Sequence, residues 1–158
     1  MKKLIYLLFF ASLIFTSCRK EAQLKEMETV FNSEIGKMVD GKFEFTVTKE
    51  SILASTKEMP TSKELNLKPK EVKIEEIEGK QYLRIYSDND YVSTIALKFD
   101  SEGARMMTEG TSCTSKDCAS GGGCVPNGQY CTKCVKGESF GSPIYGDCLR
   151  TTSSENMR

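Results

Sequence analysis

Histidine and tryptophan are both missing from the 158 residues of this chain. Without histidine it lacks the commonest general base, the commonest metal ligand and the usual activator of a nucleophile. An excess of either charge is missing too: 22 basic residues face 22 acidic ones, spread along the sequence. A balance of that kind does not draw nucleic acid, so no nucleic-acid partner is expected. Nor is there an apolar run long enough to span a bilayer, which takes about 20 residues. The uncharged apolar stretch at residues 4–15 has 12.

That stretch is informative because of its place. Lys2 and Lys3 precede it, and Thr16, Ser17 and Cys18 follow it. A basic start, a short apolar core and small residues at the cut are the parts of a secretory signal peptide. Phe15-Thr16-Ser17-Cys18 resembles the lipobox of bacterial lipoproteins, an aliphatic residue and two small ones before a cysteine. Phe15 departs from the aliphatic position. The resemblance implies that residues 1–17 are a leader that is removed. It also implies that Cys18 takes a diacylglycerol on its sulfur and an acyl chain on its new amino group. Two or more chains hold a protein stably at a membrane, where one does not. Arg19 stands where an aspartate would mark inner-membrane retention in enteric bacteria, so the expected address is the outer membrane, on either side of it.

Beyond the leader, residues 18–40 read as a tether or amphipathic helix. Leu24, Met27, Phe31, Ile35 and Met38 recur at steps of three and four, the spacing of one apolar stripe. Gly36 weakens that pattern and Asp40-Gly41 ends it. Residues 41–110 read as a small α+β unit. Phe43, Phe45 and Val47 alternate with polar residues as a strand does. Thr48 suits the cap of a short helix over residues 49–58, and Met59-Pro60 stops it. Residues 61–70 read as a loop. From Glu71 the period is two: Val72 and Ile74, then Leu83 and Ile85 with Tyr82, Arg84 and Tyr86 opposite, then Ile95, Leu97 and Phe99. Residues 104–108 suit a last short strand.

Two letter patterns carry nothing. Asp88-Asn89-Asp90 lacks the glycine and glutamate a calcium loop needs further on; those places hold Ser93 and Phe99. Gly137-Glu138-Ser139-Phe140-Gly141 spells the motif of serine hydrolases, which needs a histidine partner.

Residues 111–158 hold the other six cysteines: Cys113, Cys118, Cys124, Cys131, Cys134 and Cys148. An even set in an exported chain predicts a disulfide framework. So short and glycine-rich a segment buries too little apolar surface to order itself without staples. The pairing stays open, except that Cys131 and Cys134 are expected to pair elsewhere than with each other. Two other readings compete. Cys113, Cys118, Cys131 and Cys134 have the spacing of a zinc ribbon, and Cys131-Thr132-Lys133-Cys134 is a C-x-x-C pair of the redox type.

The run from about Ser112 to Ser153, on a short chain with a lipobox, is similar to small cysteine-rich lipoproteins of Bacteroidetes-type bacteria. The resemblance implies compartment and architecture, and no activity. The expected fold class is therefore α+β, a small antiparallel β-meander with one or two helices, followed by a disulfide-rich, loop-dominated segment. The expected role is a lipid-anchored, non-catalytic binding module for an envelope protein or an extracellular ligand. No cofactor, metal or catalytic residue is expected. The alternative is a thiol–disulfide oxidoreductase or zinc-binding protein using the C-terminal cysteines.

Overall fold

The structure, a computed structural model, describes residues 33–100, 105–120 and 123–152. The leader, Cys18 and the part of the expected helix before residue 33 lie outside these residues.

The described residues are mostly β-sheet, with few helices and three disulfides toward the C-terminal end. Four strands form the expected antiparallel meander: β3 (Pro69–Ile77), β4 (Lys80–Ser87), β5 (Val92–Phe99) and β6 (Arg105–Ser115). A meander does not describe the whole. β1 (Glu34–Val39) and β2 (Lys42–Phe45) form a hairpin added beyond β6, and β11 (Leu149–Thr152) also pairs with β6. Two further two-stranded sheets stand apart: β7 (Pro126–Asn127) with β8 (Tyr130–Cys131), and β9 (Val135–Ser139) with β10 (Ser142–Tyr145). The reason is the length of β6. Its 11 residues serve β1 along the first part of one edge and β11 along the second, while β5 takes the other edge. β6 runs through residue 110, so Cys113 sits on the main sheet itself.

Residues 34–39 are strand, where the helical spacing predicts helix. Asp40 and Gly41 both have positive φ, 49° and 76°. That is the two-residue hairpin turn for which Asp-Gly is the strongest short signal, and it turns β1 back onto β2. Gly36 is the place where Phe43 lies against the strand; a Cβ there would come within 2.1 Å of the ring.

Thr48 caps α1 (Lys49–Glu58), its hydroxyl accepting from the Ser51 amide at 3.2 Å. Met59 ends that helix as expected, but Pro60 opens α2 (Pro60–Glu64) where a loop is predicted. A proline costs nothing at the first helical position, where its missing N–H has no partner to lose.

The two helices cover one face of the sheet. Ile52 and Met59 pack there on Ile35, Val72, Leu83, Ile85 and Ile95, all of them buried. The other face of β4 is buried as well: Tyr82 and Arg84 are each 3% exposed. The cysteine-rich segment covers this second face. Among the described residues no helix is long and apolar enough to cross a membrane.

Candidate functional site: the disulfide-braced end

The six cysteines form three bridges, Cys113–Cys131, Cys118–Cys134 and Cys124–Cys148. The disulfide framework expected of this segment is present. The pairing is interleaved, first with fourth, second with fifth and third with sixth. Each bridge therefore encloses one end of both others. Cys131 and Cys134 are joined to different partners, so they do not form a C-x-x-C disulfide. The four cysteines of the ribbon spacing are likewise all in bridges. Cys113, Cys118, Cys124 and Cys134 are buried together, and Cys131 and Cys148 pack against them.

The framework is fixed to the sheet by polar groups as well. The Asp147 carboxylate accepts from the Asp117 amide at 2.8 Å, the Lys116 amide at 3.1 Å and the Ser115 hydroxyl at 2.8 Å. Asp117 in turn accepts from the Asp147 amide at 3.1 Å and pairs with Lys136 at 2.9 Å. The hydrogen bond from Lys136 holds the Asp117 carboxyl below its usual range. Ser115 and the two aspartates thus lock the turn after β6 to the chain entering β11. Isolated Asp and Ser residues gave no sequence signal for this lock.

Arg84 is the second tie. From β4 its Nη1 meets Glu75 Oε2 at 3.1 Å, and its Nη2 donates to the Ala119 carbonyl in the first disulfide loop. Tyr86 donates to the other oxygen of Glu75 at 2.5 Å. Its ring lies 5.5 Å from the Arg84 guanidinium carbon and 5.0 Å from Lys73 Nζ. Burial, and then this hydrogen bond to a carboxylate, push the Tyr86 phenol up to about 12. The sign follows directly. An unfolded tyrosine titrates near pH 10, so the neutral phenol is favoured in the fold. Its stabilising contribution is whole below about pH 10 and is lost as pH climbs through about 12. Tyr86→Phe is expected to flatten the fall of stability over that window. Urea unfolding at a series of pH values checks it, and an unchanged slope would reject the assignment. Tyr82, also raised by burial, contributes in the same direction in both proteins.

On the outward side of the framework is an open groove of about 470 Å³. Tyr130 and Tyr145 stand on it, 68% and 53% exposed, with Cys131 and Cys134 among its lining. Two cations belong to it: Lys133 Nζ lies 5.3 Å from the Tyr145 ring, and Arg150 Cζ lies 5.4 Å from the Tyr130 ring. Arg150 also donates to the Gln129 carbonyl at 2.9 Å. No carboxylate lines the groove among the described residues. It offers two aromatic faces and two positive charges on a cross-linked base. Tyr130, Lys133, Tyr145 and Arg150 lie too far apart in sequence to announce a site; only the bridges bring them together.

The chain matches no protein-family model, and no curated protein and no solved structure matches it either.

Proposed function

We propose that this is a lipid-anchored protein of the cell envelope that binds a partner through its disulfide-braced end. One observation carries the binding half. Of the large hydrophobic side chains exposed among the described residues, Tyr130, Val135, Phe140, Ile144 and Tyr145 all lie after Cys124, and Phe99 alone lies elsewhere. Apolar groups gathered on one end, on backbone that bridges hold still, are what a binding surface needs. Side chains fixed beforehand lose little entropy on contact, and Tyr and Arg are enriched at such surfaces. The groove suits a ligand with a flat apolar face and an anionic group. Membrane attachment rests on the lipobox resemblance of residues 15–18, and Arg19, in the place where an aspartate would mark inner-membrane retention, supports the outer-membrane address. The reading calls for no cofactor and no catalytic residue.

The test has two parts. Cys18→Ala is expected to move the protein from the membrane fraction to the soluble fraction; unchanged membrane retention would reject the lipid anchor. That soluble variant is then the bait for cross-linking in envelope extract. Adding Tyr130→Ser and Tyr145→Ser is expected to abolish the cross-linked product without changing the disulfides. A product that survives both changes removes the groove from the reading.

A further inference from the structure

The β9–β10 hairpin carries an anomaly that neither stability nor solubility explains. Its turn is Phe140-Gly141, with φ of 50° and 76°. The same two-residue turn occurs at Asp40-Gly41 and Glu78-Gly79, where the first residue is acidic and suits a turn in water. Here that place holds an aromatic side chain, which is 107% exposed. A bulky residue in the left-handed region is strained, and a fully exposed phenylalanine forgoes burial. Both costs fall on one residue.

The surroundings say what kind of environment would relieve them. All residues of β9 and β10 are exposed. From Ser139 to Gly146 no residue is charged, and Pro143 and Ile144 follow the tip on β10. At the base of the hairpin Tyr145 lies under the Lys133 ammonium. The uncharged part is the tip alone, since Glu138 stands one rung behind it opposite Pro143. An uncharged tip with charge behind it and tyrosine and lysine at its base matches shallow entry into a membrane interface, in which such residues sit at headgroup level. A protein partner seated on the tip itself, as opposed to the groove at the base, fits less well. A stable interface takes about 800 Å² from each side, and a two-stranded finger with one apolar tip offers little of that. A bilayer asks for no matching shape and accepts a tip inserted only to roughly 5–10 Å.

We infer that the β9–β10 hairpin is a second membrane contact, which inserts Phe140 into the interface of the bilayer to which the chain is tethered. The inference rests on the envelope reading for its setting. One phenylalanine binds a membrane weakly by itself. A tether converts that into an intramolecular step at an effective concentration near the millimolar range.

The absence of tryptophan makes the test clean, because Phe140→Trp is then the sole tryptophan. The chain beginning at Cys18, its other cysteines oxidised, is coupled through that thiol to a maleimide lipid in phosphatidylcholine vesicles. The coupling makes the result independent of whether cells acylate Cys18, so failure of the anchor reading and failure of this one are told apart. Emission is expected to shift to the blue relative to the uncoupled chain and to be quenched by brominated acyl chains. Solvent-like, unquenched emission from the coupled chain overturns the inference. As a second arm, Phe140→Asn in the uncoupled Cys18→Ala chain, titrated with lipid in large excess so that the weak untethered contact registers, is expected to lower vesicle partition by about ten-fold or more. Its melting temperature should hold or rise, since asparagine tolerates this backbone better. Equal partition of the two chains would also overturn it.

Discussion

Reduction of the three disulfides is expected to unfold residues 116–148 while the β3–β6 sheet keeps its hydrogen bonds. The two regions are ordered by different means. The helix-side core of Ile35, Ile52, Met59, Val72, Leu83, Ile85 and Ile95 contains no residue of the cysteine-rich segment. That segment has instead a centre made of cysteines, with its larger apolar side chains mostly exposed. Once reduced, it has little buried apolar surface to set against its chain entropy. The bridges span 18, 16 and 24 residues. Closing loops of that size restricts the unfolded chain by roughly 3 kcal/mol each, less where the closures overlap. Native-state hydrogen exchange with and without reductant is the measurement. Amides of β4 and β5 should stay protected while those of β7–β10 exchange at the rate of unfolded chain. Loss of protection throughout would mean that the sheet depends on the braced segment; no loss would mean that the bridges are dispensable.

Arg84→Ala is expected to destabilise the protein by about 2–4 kcal/mol, the loss of a hydrogen bond to a charged group together with a carbonyl left without its donor. Arg84 is 3% exposed, and its guanidinium bridges Glu75 on β3 and the Ala119 carbonyl in the disulfide loop. Deletion leaves the Glu75 carboxylate without its cation and the Ala119 carbonyl without its donor. Arg84→Lys is expected to recover little, because one ammonium cannot serve two acceptors on opposite sides as a planar fork does. Glu75→Gln should cost less: its side chain is 31% exposed and the amide can still accept from Tyr86. Urea unfolding of the three variants gives the ranking. An Arg84→Ala protein within about 1 kcal/mol of wild type, the range of an exposed ion pair, would show that the contact with Ala119 is incidental.

Much of the sheet was legible from its alternation. The alternation sets Val72, Ile74, Leu83, Ile85, Ile95, Leu97 and Phe99 on one apolar face. Val72, Leu83, Ile85 and Ile95 are buried in the core, Ile74 and Leu97 are partly buried against it, and Phe99, past the register shift in β5, is exposed. Thr48 was recognisable as a cap because it precedes a short helical run, and it does cap. The even set of cysteines in the C-terminal segment announced a framework, and the framework is there. β1 does not show in the sequence because Ile35 and Met38 fit a helical step and Asp40-Gly41 can end a helix as well as turn a hairpin. The helix α2 does not show because a proline that stops one helix can also open the next. The alternation puts Arg84 on the face opposite the core, and nothing in it says that this face is covered too. Nothing in the spacing of residues 113–148 distinguished one cysteine pairing from another, since pairing depends on which loops lie over the sheet.

What the sequence determined by itself was local. It set the strand periods, the turn residues and the number of sulfurs available for bridges, because these depend on neighbours a few residues away. The tertiary structure alone decided that β6 serves two partners along one edge, that the braced segment lies over Arg84, and that Tyr130, Lys133, Tyr145 and Arg150 share a groove. Each of these joins residues brought together by folding and cross-linking, and such contacts leave no period in the chain to be read.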